Sequence, residues 1–185
     1  MIASSKTVWS AGHSTLWLPA FLDLVGDIDL IVDIRQYPYS RRYPHFNGSE
    51  LAKEKSYGWI QDLGGRRHVA GERHPAWRVA AFRSYAGYME TEPFQRGLSQ
   101  LEQIASDQRT AFFCAEALWW RCHRRLVSDA LVVRGWTVLH LPKGEPHRLS
   151  PMARVEGDGT LVYDVAVSSA SSPSSGRPGR RRRTR

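Results

Sequence analysis

Cysteine is scarce in this sequence: only Cys114 and Cys122 occur in 185 residues, which excludes a fold held together by several disulfides. Two thiols are also too few for a structural zinc site unless histidines complete it. No stretch approaches the ~18 consecutive apolar residues of a membrane helix, and residues 1–14 lack both a basic leader and a long apolar run. We therefore expect a cytoplasmic protein with reduced thiols and no membrane association.

Lysine is equally rare, since only four of the 26 basic residues are lysines. The formal net charge of +8 is unevenly distributed: residues 168–185 hold six arginines and no acid, which leaves 20 basic and 18 acidic residues elsewhere. This last segment has no large apolar side chain, which predicts a disordered tail. In the rest of the chain the arginine bias favours contacts with carboxylate or phosphate, because the planar guanidinium matches both.

The remaining residues, 1–167, have the length of a single domain, and the apolar fraction of the whole sequence, 42%, is enough to fill its core. Short apolar runs alternate with segments of helical periodicity, which predicts an α/β fold. We expect an open, mostly parallel, Rossmann-like sheet of four to five strands with flanking helices. The expected strands are Thr7–Ala11, Leu30–Ile34, Thr110–Ala115 and Trp136–Leu141, with Leu161–Val165 as a possible edge strand. The expected helices are Pro19–Val25, one that begins after Thr91, and Arg121–Arg134.

Reactive side chains follow the ends of four predicted strands. In parallel sheets ligands bind beyond the carboxyl ends of the strands, so these side chains are expected to share one site. The alternative is that strand ends simply lead into polar loops. The residues concerned are His13, Ser14, Asp33, Arg35, Cys114, Glu116 and His140.

Residues 36–88 are the least regular part of the chain, and we interpret them as an insertion that covers a site. The segment interleaves arginines with Tyr, Trp and Phe, a chemistry suited to phosphates and stacked bases. A structural alternative stays open, in which the aromatics form a small core and the arginines are solvated or ion-paired. The arginines expected to contact an anion here are Arg41, Arg42, Arg66, Arg67 and Arg78.

The densest group of reactive residues follows the third strand. Arg121 and Arg124 at a helix start oppose the helix dipole unless an anion lies between them. Glu116 is one candidate for this anion, and a substrate phosphate or carboxylate is another. A carboxylate held by arginines stays ionised and can act as base or nucleophile. Alternatively, Glu116 and Asp33 are ion-pair partners of Arg121 and Arg35.

Two other chemistries fit the spacing less well. Cysteine phosphatases have five residues between Cys and Arg, whereas six separate Cys114 from Arg121 and their loop contains no glycine. A metal site of Cys114, Cys122, His123 and a remote histidine is disfavoured, because adjacent residues on a helix point about 100° apart. We therefore expect no metal and no cofactor. We expect both thiols to be buried in the core, as most free cysteines are.

Several motifs occur in a fixed order between about Thr7 and Leu141. They are GHS (12–14), DIR (33–35), P-x-SRR (38–42), FN (46–47), LGGRR (63–67), WR (77–78), FRSYAGYM (82–89) and CAEAxxWRCHR (114–124). Together they resemble the domain-of-unknown-function family 488, whose members are largely uncharacterised bacterial and archaeal proteins. The resemblance implies a compact α/β domain and supports Glu116, Arg121, Cys122 and His123 as a family signature.

The leading hypothesis is an enzyme that acts on a phosphate-bearing substrate, either a nucleotide or nucleic acid, by N-glycosidic or phosphodiester cleavage. Glu116 and Asp33 would act as acid, base or nucleophile, and His13 or His123 would supply a proton. A non-catalytic nucleic-acid-binding module and a small-molecule anion-binding protein are the alternatives. The expected anion contacts are Ser14, Arg35, Arg41, Arg42, Arg66, Arg67, Arg78, Arg121 and Arg124.

Overall fold

The computed structural model describes residues 6–70 and 72–166. The strands are β1 (Thr7–Gly12), β2 (Leu30–Asp33), β3 (Ser56–Trp59), β4 (Thr110–Cys114), β5 (Thr137–His140), β6 (Glu145–Pro146), β7 (Ala153–Val155) and β8 (Leu161–Tyr163). The helices are α1 (Leu18–Leu24), α2 (Gly48–Glu54), α3 (Ala80–Met89), α4 (Glu92–Asp107) and α5 (Arg124–Val133). Within these described residues, no helix combines the length and the apolar character that a membrane crossing requires.

Six strands form one sheet in the order β3-β2-β4-β1-β5-β6. The first five run parallel to their neighbours, and only β6 is antiparallel. The predicted α/β class and mostly parallel sheet are therefore confirmed. Because β4 lies inside the sheet and is covered on both faces, all five of its residues are buried, which explains the continuous apolar sequence TAFFC.

Helices cover both faces of the sheet. On one face, Phe21 of α1 and Leu51 of α2 pack against Phe113 of β4. On the other face, α3, α4 and α5 form a larger core in which Leu126 shares a cluster with Phe112. Consecutive residues of β4 thus contribute to opposite cores, as the alternation of side chains along a strand requires.

The structure corrects two expectations about the outer elements. β8 does not extend the central sheet, because it pairs antiparallel with β7 in a separate two-stranded sheet. The segment 36–88 contains a sheet strand, β3, as well as α2 and most of α3. β3 is a half-exposed edge strand of sequence SYGW, which has too little apolar character for its pattern to predict a strand. The predicted tail, 168–185, lies outside the described residues.

Candidate functional site

The carboxyl ends of β2, β4 and β1 lie side by side, because these strands are parallel neighbours in the sheet. Backbone pairing continues beyond β1 and β4: the N–H of His13 donates to the carbonyl of Cys114 at 3.1 Å, and the next residue pair repeats this bond at 3.0 Å. Gly12 permits this close approach, since a Cβ there would collide with the carbonyl of Glu116. The predicted segments therefore meet at this edge.

Arg35 and Asp33 form a buried ion pair behind the edge. Asp33 is fully buried; its Oδ1 accepts from Arg35 Nε at 2.9 Å, and its Oδ2 accepts from a terminal nitrogen of the same guanidinium at 2.5 Å. The hydroxyl of Tyr57 donates to Oδ2 at 2.8 Å. Burial opposes the charge of Arg35, but the hydrogen bonds and charge of Asp33 outweigh it and raise the pKa of Arg35. The carboxylate of Asp33 thus holds Arg35 in place.

His13 is a neutral imidazole beside this pair. Its Nδ1 lies 3.1 Å from the carbonyl of Ser14 and donates to it, which leaves the Nε2 lone pair 3.5 Å from a terminal nitrogen of Arg35. The ring stacks on Phe46 with centroids 4.0 Å apart. Burial and the charge of Arg35 lower the pKa of His13 to about 4. At neutral pH His13 is therefore unprotonated and a weak base, and it holds no spare proton to donate.

A cleft of about 570 Å³, here called the arginine cleft, opens at this edge of the sheet. Three arginines line it, Arg35, Arg42 and Arg66, and no carboxylate side chain does so among the described residues. Tyr37 and Tyr39 also line the cleft, with 52% and 58% of their surface exposed. Its other lining residues include His13, Ser14, Gln36, Tyr43, Cys114 and His123.

A second cavity of about 450 Å³, the Glu116 groove, adjoins the cleft and shares Gly65, Arg66, Cys114, Ala115 and His123 with it. Glu116 and Arg121 are exposed and line this groove. The Glu116 carboxylate accepts a hydrogen bond from the N–H of Leu118 at 3.3 Å. In the described part of the chain it forms no ion pair with Arg121.

Cys114, Cys122 and His123 converge between the two cavities. The two Sγ atoms are 3.0 Å apart, Cys122 Sγ lies 3.5 Å from His123 Nδ1, and one atom of each residue falls within 4.8 Å of the others. The predicted helix Arg121–Arg134 is wrong at its start, since α5 begins at Arg124 and Cys122 has an extended backbone. The two adjacent side chains are therefore not held about 100° apart, and the sequence argument against a shared metal does not apply.

The two thiols differ in acidity. Burial opposes ionisation of Cys122, but the hydrogen bond from Cys114 and the positive charge of Arg124 lower its pKa well below the usual range. The same hydrogen bond, together with burial, raises the pKa of Cys114. The shared hydrogen bond thus favours ionisation of Cys122 over that of Cys114.

Four of the predicted anion contacts lie away from both cavities or have other partners. Arg124 is buried and donates to the carbonyls of the loop after β4. Arg67 donates to two carbonyls of the turn that precedes it and covers the ring of Tyr88. Arg41 and Arg78 are exposed and line neither cavity. The cleft thus brings together Ser14, Arg35, Arg42 and Arg66, and the groove adds Arg121.

The sequence did not predict the buried chain of hydrogen bonds that joins Asp129, His147 and His140. Asp129 Oδ1 lies 2.8 Å from His147 Nε2, and His147 Nδ1 lies 2.9 Å from His140 Nε2. Tyr163 donates to the other oxygen of Asp129, and Trp119 stacks on His140 with centroids 4.1 Å apart. Burial and the neighbouring imidazole lower the pKa of His140 to about 3. The only sequence signal was the position of His140 at a strand end, because its partners come from distant segments.

A family model described as Domain of unknown function DUF488 matches residues 23–131, which is more than half of the chain. The matched range runs from α1 into α5 and includes Arg35, Glu116 and the Cys114–Cys122–His123 cluster. The resemblance inferred from the motifs is thus confirmed, over a shorter range than they suggested. Comparisons with curated proteins and with solved structures gave no match.

Proposed function

The chain belongs to the DUF488 family, and from the chemistry of its site we propose that it is an enzyme acting on a phosphate-bearing substrate, a nucleotide or a nucleic-acid strand. The observation that carries this proposal is the arginine cleft: Arg42 and Arg66 line it together with the ion-paired Arg35, and in the described part of the chain no carboxylate side chain lines it. Guanidinium groups bind phosphate oxygens through charge-assisted, often bidentate hydrogen bonds. An anionic substrate matches this lining.

Aromatic side chains at the cleft favour a nucleotide over a simple phosphate. Tyr37 and Tyr39 line its wall and are exposed, and aromatic faces stack bases at about 1–3 kcal/mol per base.

The proton chemistry is assigned to Glu116. Glu116 is the predicted carboxylate that lines a cavity, whereas Asp33 is buried and holds Arg35. His13 is a weaker candidate for the base, because its pKa is about 4 and its Nε2 faces a nitrogen of Arg35. His123 donates its Nε2 proton to the carbonyl of Ile34, 3.0 Å away, so it is a positioned residue and not a mobile proton donor.

Replacing Arg42 or Arg66 with glutamine is expected to weaken nucleotide binding about tenfold each, because each change removes one charge-assisted contact. The measurement is titration of fluorescent ATP and of a labelled single-stranded oligonucleotide with the full-length chain at low and moderate salt. For the oligonucleotide, the slope of log affinity against log salt should fall by about one for each arginine removed.

Arg109→Gln is the matched control. Arg109 is exposed and precedes β4, at the opposite edge of the sheet, and the substitution removes the same charge. Residues 168–185 are present in every variant, so differences between variants report on the cleft. Equal losses in all three variants would indicate only long-range attraction and would overturn the arginine cleft as the binding site.

Replacing Glu116 with glutamine separates an enzyme from a binding module. We expect Glu116→Gln to keep nucleotide affinity within about twofold and to reduce product formation by at least about 100-fold, as for loss of a general base. Product is followed by chromatography of free base, nucleoside and phosphate from a panel of nucleotides and oligonucleotides. Tight binding with no product from the wild-type chain would favour the non-catalytic alternative.

A further inference from the structure

We propose that Cys114, Cys122 and His123 form a binding site for one Zn²⁺ ion. The three donor atoms already lie within 4.8 Å of one another. Two thiolates and one imidazole are a ligand set that zinc uses in sites with an open fourth position. The proposal does not depend on the nucleotide proposal, since a metal can bind here whatever the arginine cleft holds.

The distances within the cluster need little adjustment for zinc. Zn–S bonds of about 2.3 Å in tetrahedral geometry separate two sulfurs by about 3.8 Å. The sulfurs of Cys114 and Cys122 are 3.0 Å apart, so they would move apart by less than about 1 Å. The separation of 3.5 Å between Cys122 Sγ and His123 Nδ1 already suits two ligands of one ion.

The imidazole of His123 is held in the orientation that a metal ligand needs. Its Nε2 lies 3.0 Å from the carbonyl of Ile34 and donates to it, so the Nδ1 lone pair faces the sulfurs. Metal-binding histidines commonly use their second nitrogen in this way, which fixes the tautomer. Gly65 packs against the Nδ1 side of the ring. A Cβ at this position would lie only 2.9 Å from Nδ1, so a larger residue would crowd the imidazole.

The electrostatic surroundings favour the thiolate forms that bind metal. Arg124 is buried, and among the described residues no carboxylate pairs with its charge; its partners are two carbonyls and a serine hydroxyl. Zinc takes its cysteine ligands as thiolates, so a buried positive charge that no carboxylate offsets favours binding at this position.

The fourth position faces the Glu116 groove. All three ligand residues line this groove, and the two cysteines are otherwise buried. A water or an anionic substrate group can therefore reach the ion from the groove, beside the Glu116 carboxylate. A disulfide between the two cysteines is the competing outcome, but a disulfide leaves the oriented Nδ1 of His123 without a partner.

The test uses the reduced, untagged, full-length chain. We expect about one zinc per chain by elemental analysis after purification. We also expect the chelator-treated protein to take up Co²⁺ with a thiolate-to-cobalt charge-transfer band and a tetrahedral d–d spectrum. Cys114→Ser, Cys122→Ser and His123→Ala should each weaken zinc binding by at least about 100-fold, since loss of even an outer-shell partner costs about 10–100-fold.

His68→Asn is the control, because His68 is exposed and lines neither cavity. Zinc affinity of this variant should equal that of the wild type. Where a cysteine variant fails to fold, the thiolate-to-cobalt band of the wild-type chain, compared with that of His123→Ala, replaces it as the measurement. Failure of the reduced chain to bind zinc or cobalt would overturn the proposal, as would unchanged affinity in His123→Ala.

Discussion

Asp33→Ala is expected to lower the free energy of unfolding by about 3–5 kcal/mol, because it leaves the charge of Arg35 buried without its partner. Arg35 is only 7% exposed, and among the described residues its one other strong acceptor is the carbonyl of Phe46 at 2.7 Å. The hydroxyl of Tyr57 would lose its partner as well. Urea unfolding followed by circular dichroism measures the loss.

Asp27→Ala is the control for this prediction, since Asp27 is exposed and its loss should change stability by less than about 0.5 kcal/mol. The loss in the free energy of unfolding for Asp33→Asn should lie between those of Asp33→Ala and Asp27→Ala, because the amide keeps an acceptor but not the charge. A loss below about 1 kcal/mol for Asp33→Ala would show that Arg35 does not depend on this carboxylate. A large loss of activity with unchanged stability would restore the catalytic role that the sequence predicted for Asp33.

A fall in pH is expected to destabilise the protein already at pH values above those at which carboxylates titrate. The folded-state pKa values of His13, about 4, and His140, about 3, lie below the value of 6.5 expected for an unfolded chain. Between these limits the unfolded chain binds more protons, so each histidine makes stability fall by about 1.4 kcal/mol per pH unit as the pH decreases. Burial lowers the pKa of His74 too, which acts in the same direction.

Urea unfolding at a series of pH values from 7 to about 5 measures this dependence. His13→Asn and His140→Gln should each make the pH dependence of stability less steep, whatever their effect on stability at pH 7. His68→Asn, which changes an exposed histidine, should leave the slope unchanged. Slopes in the two variants that equal the wild-type slope would contradict the neutral buried state of these rings.

The strongly apolar strands were predicted from the sequence within one or two residues. Thr110–Ala115 and Leu30–Ile34 were recognisable because parallel strands buried on both faces are apolar throughout. β3 was missed because an edge strand needs no such pattern. The predicted start of α5 was three residues too early. The polar residues before Arg124 are compatible with a helix, but in the structure the backbone of Cys122 is extended.

The candidate site was predicted in part. The sequence predicted that His13, Arg35 and Cys114 lie at one edge of the sheet, because the alternation of strands and helices implies parallel strands. The sequence did not predict which arginines line the cleft. Arg41 and Arg42 are adjacent in an irregular segment, and of these two the structure places Arg42 at the cleft. Arg124 looked like an anion contact, but its side chain is buried against backbone carbonyls.

The sequence by itself determined the fold class, the family and the edge of the sheet at which reactive residues gather. These properties depend on periodicity, on buried apolar runs and on motifs in a fixed order, all of which are local. Only the tertiary structure decided the roles of individual side chains, because a role depends on partners far away in the chain. Asp33 bonds to Arg35 and Tyr57, and Cys122 contacts Cys114. No local sequence pattern predicts these contacts.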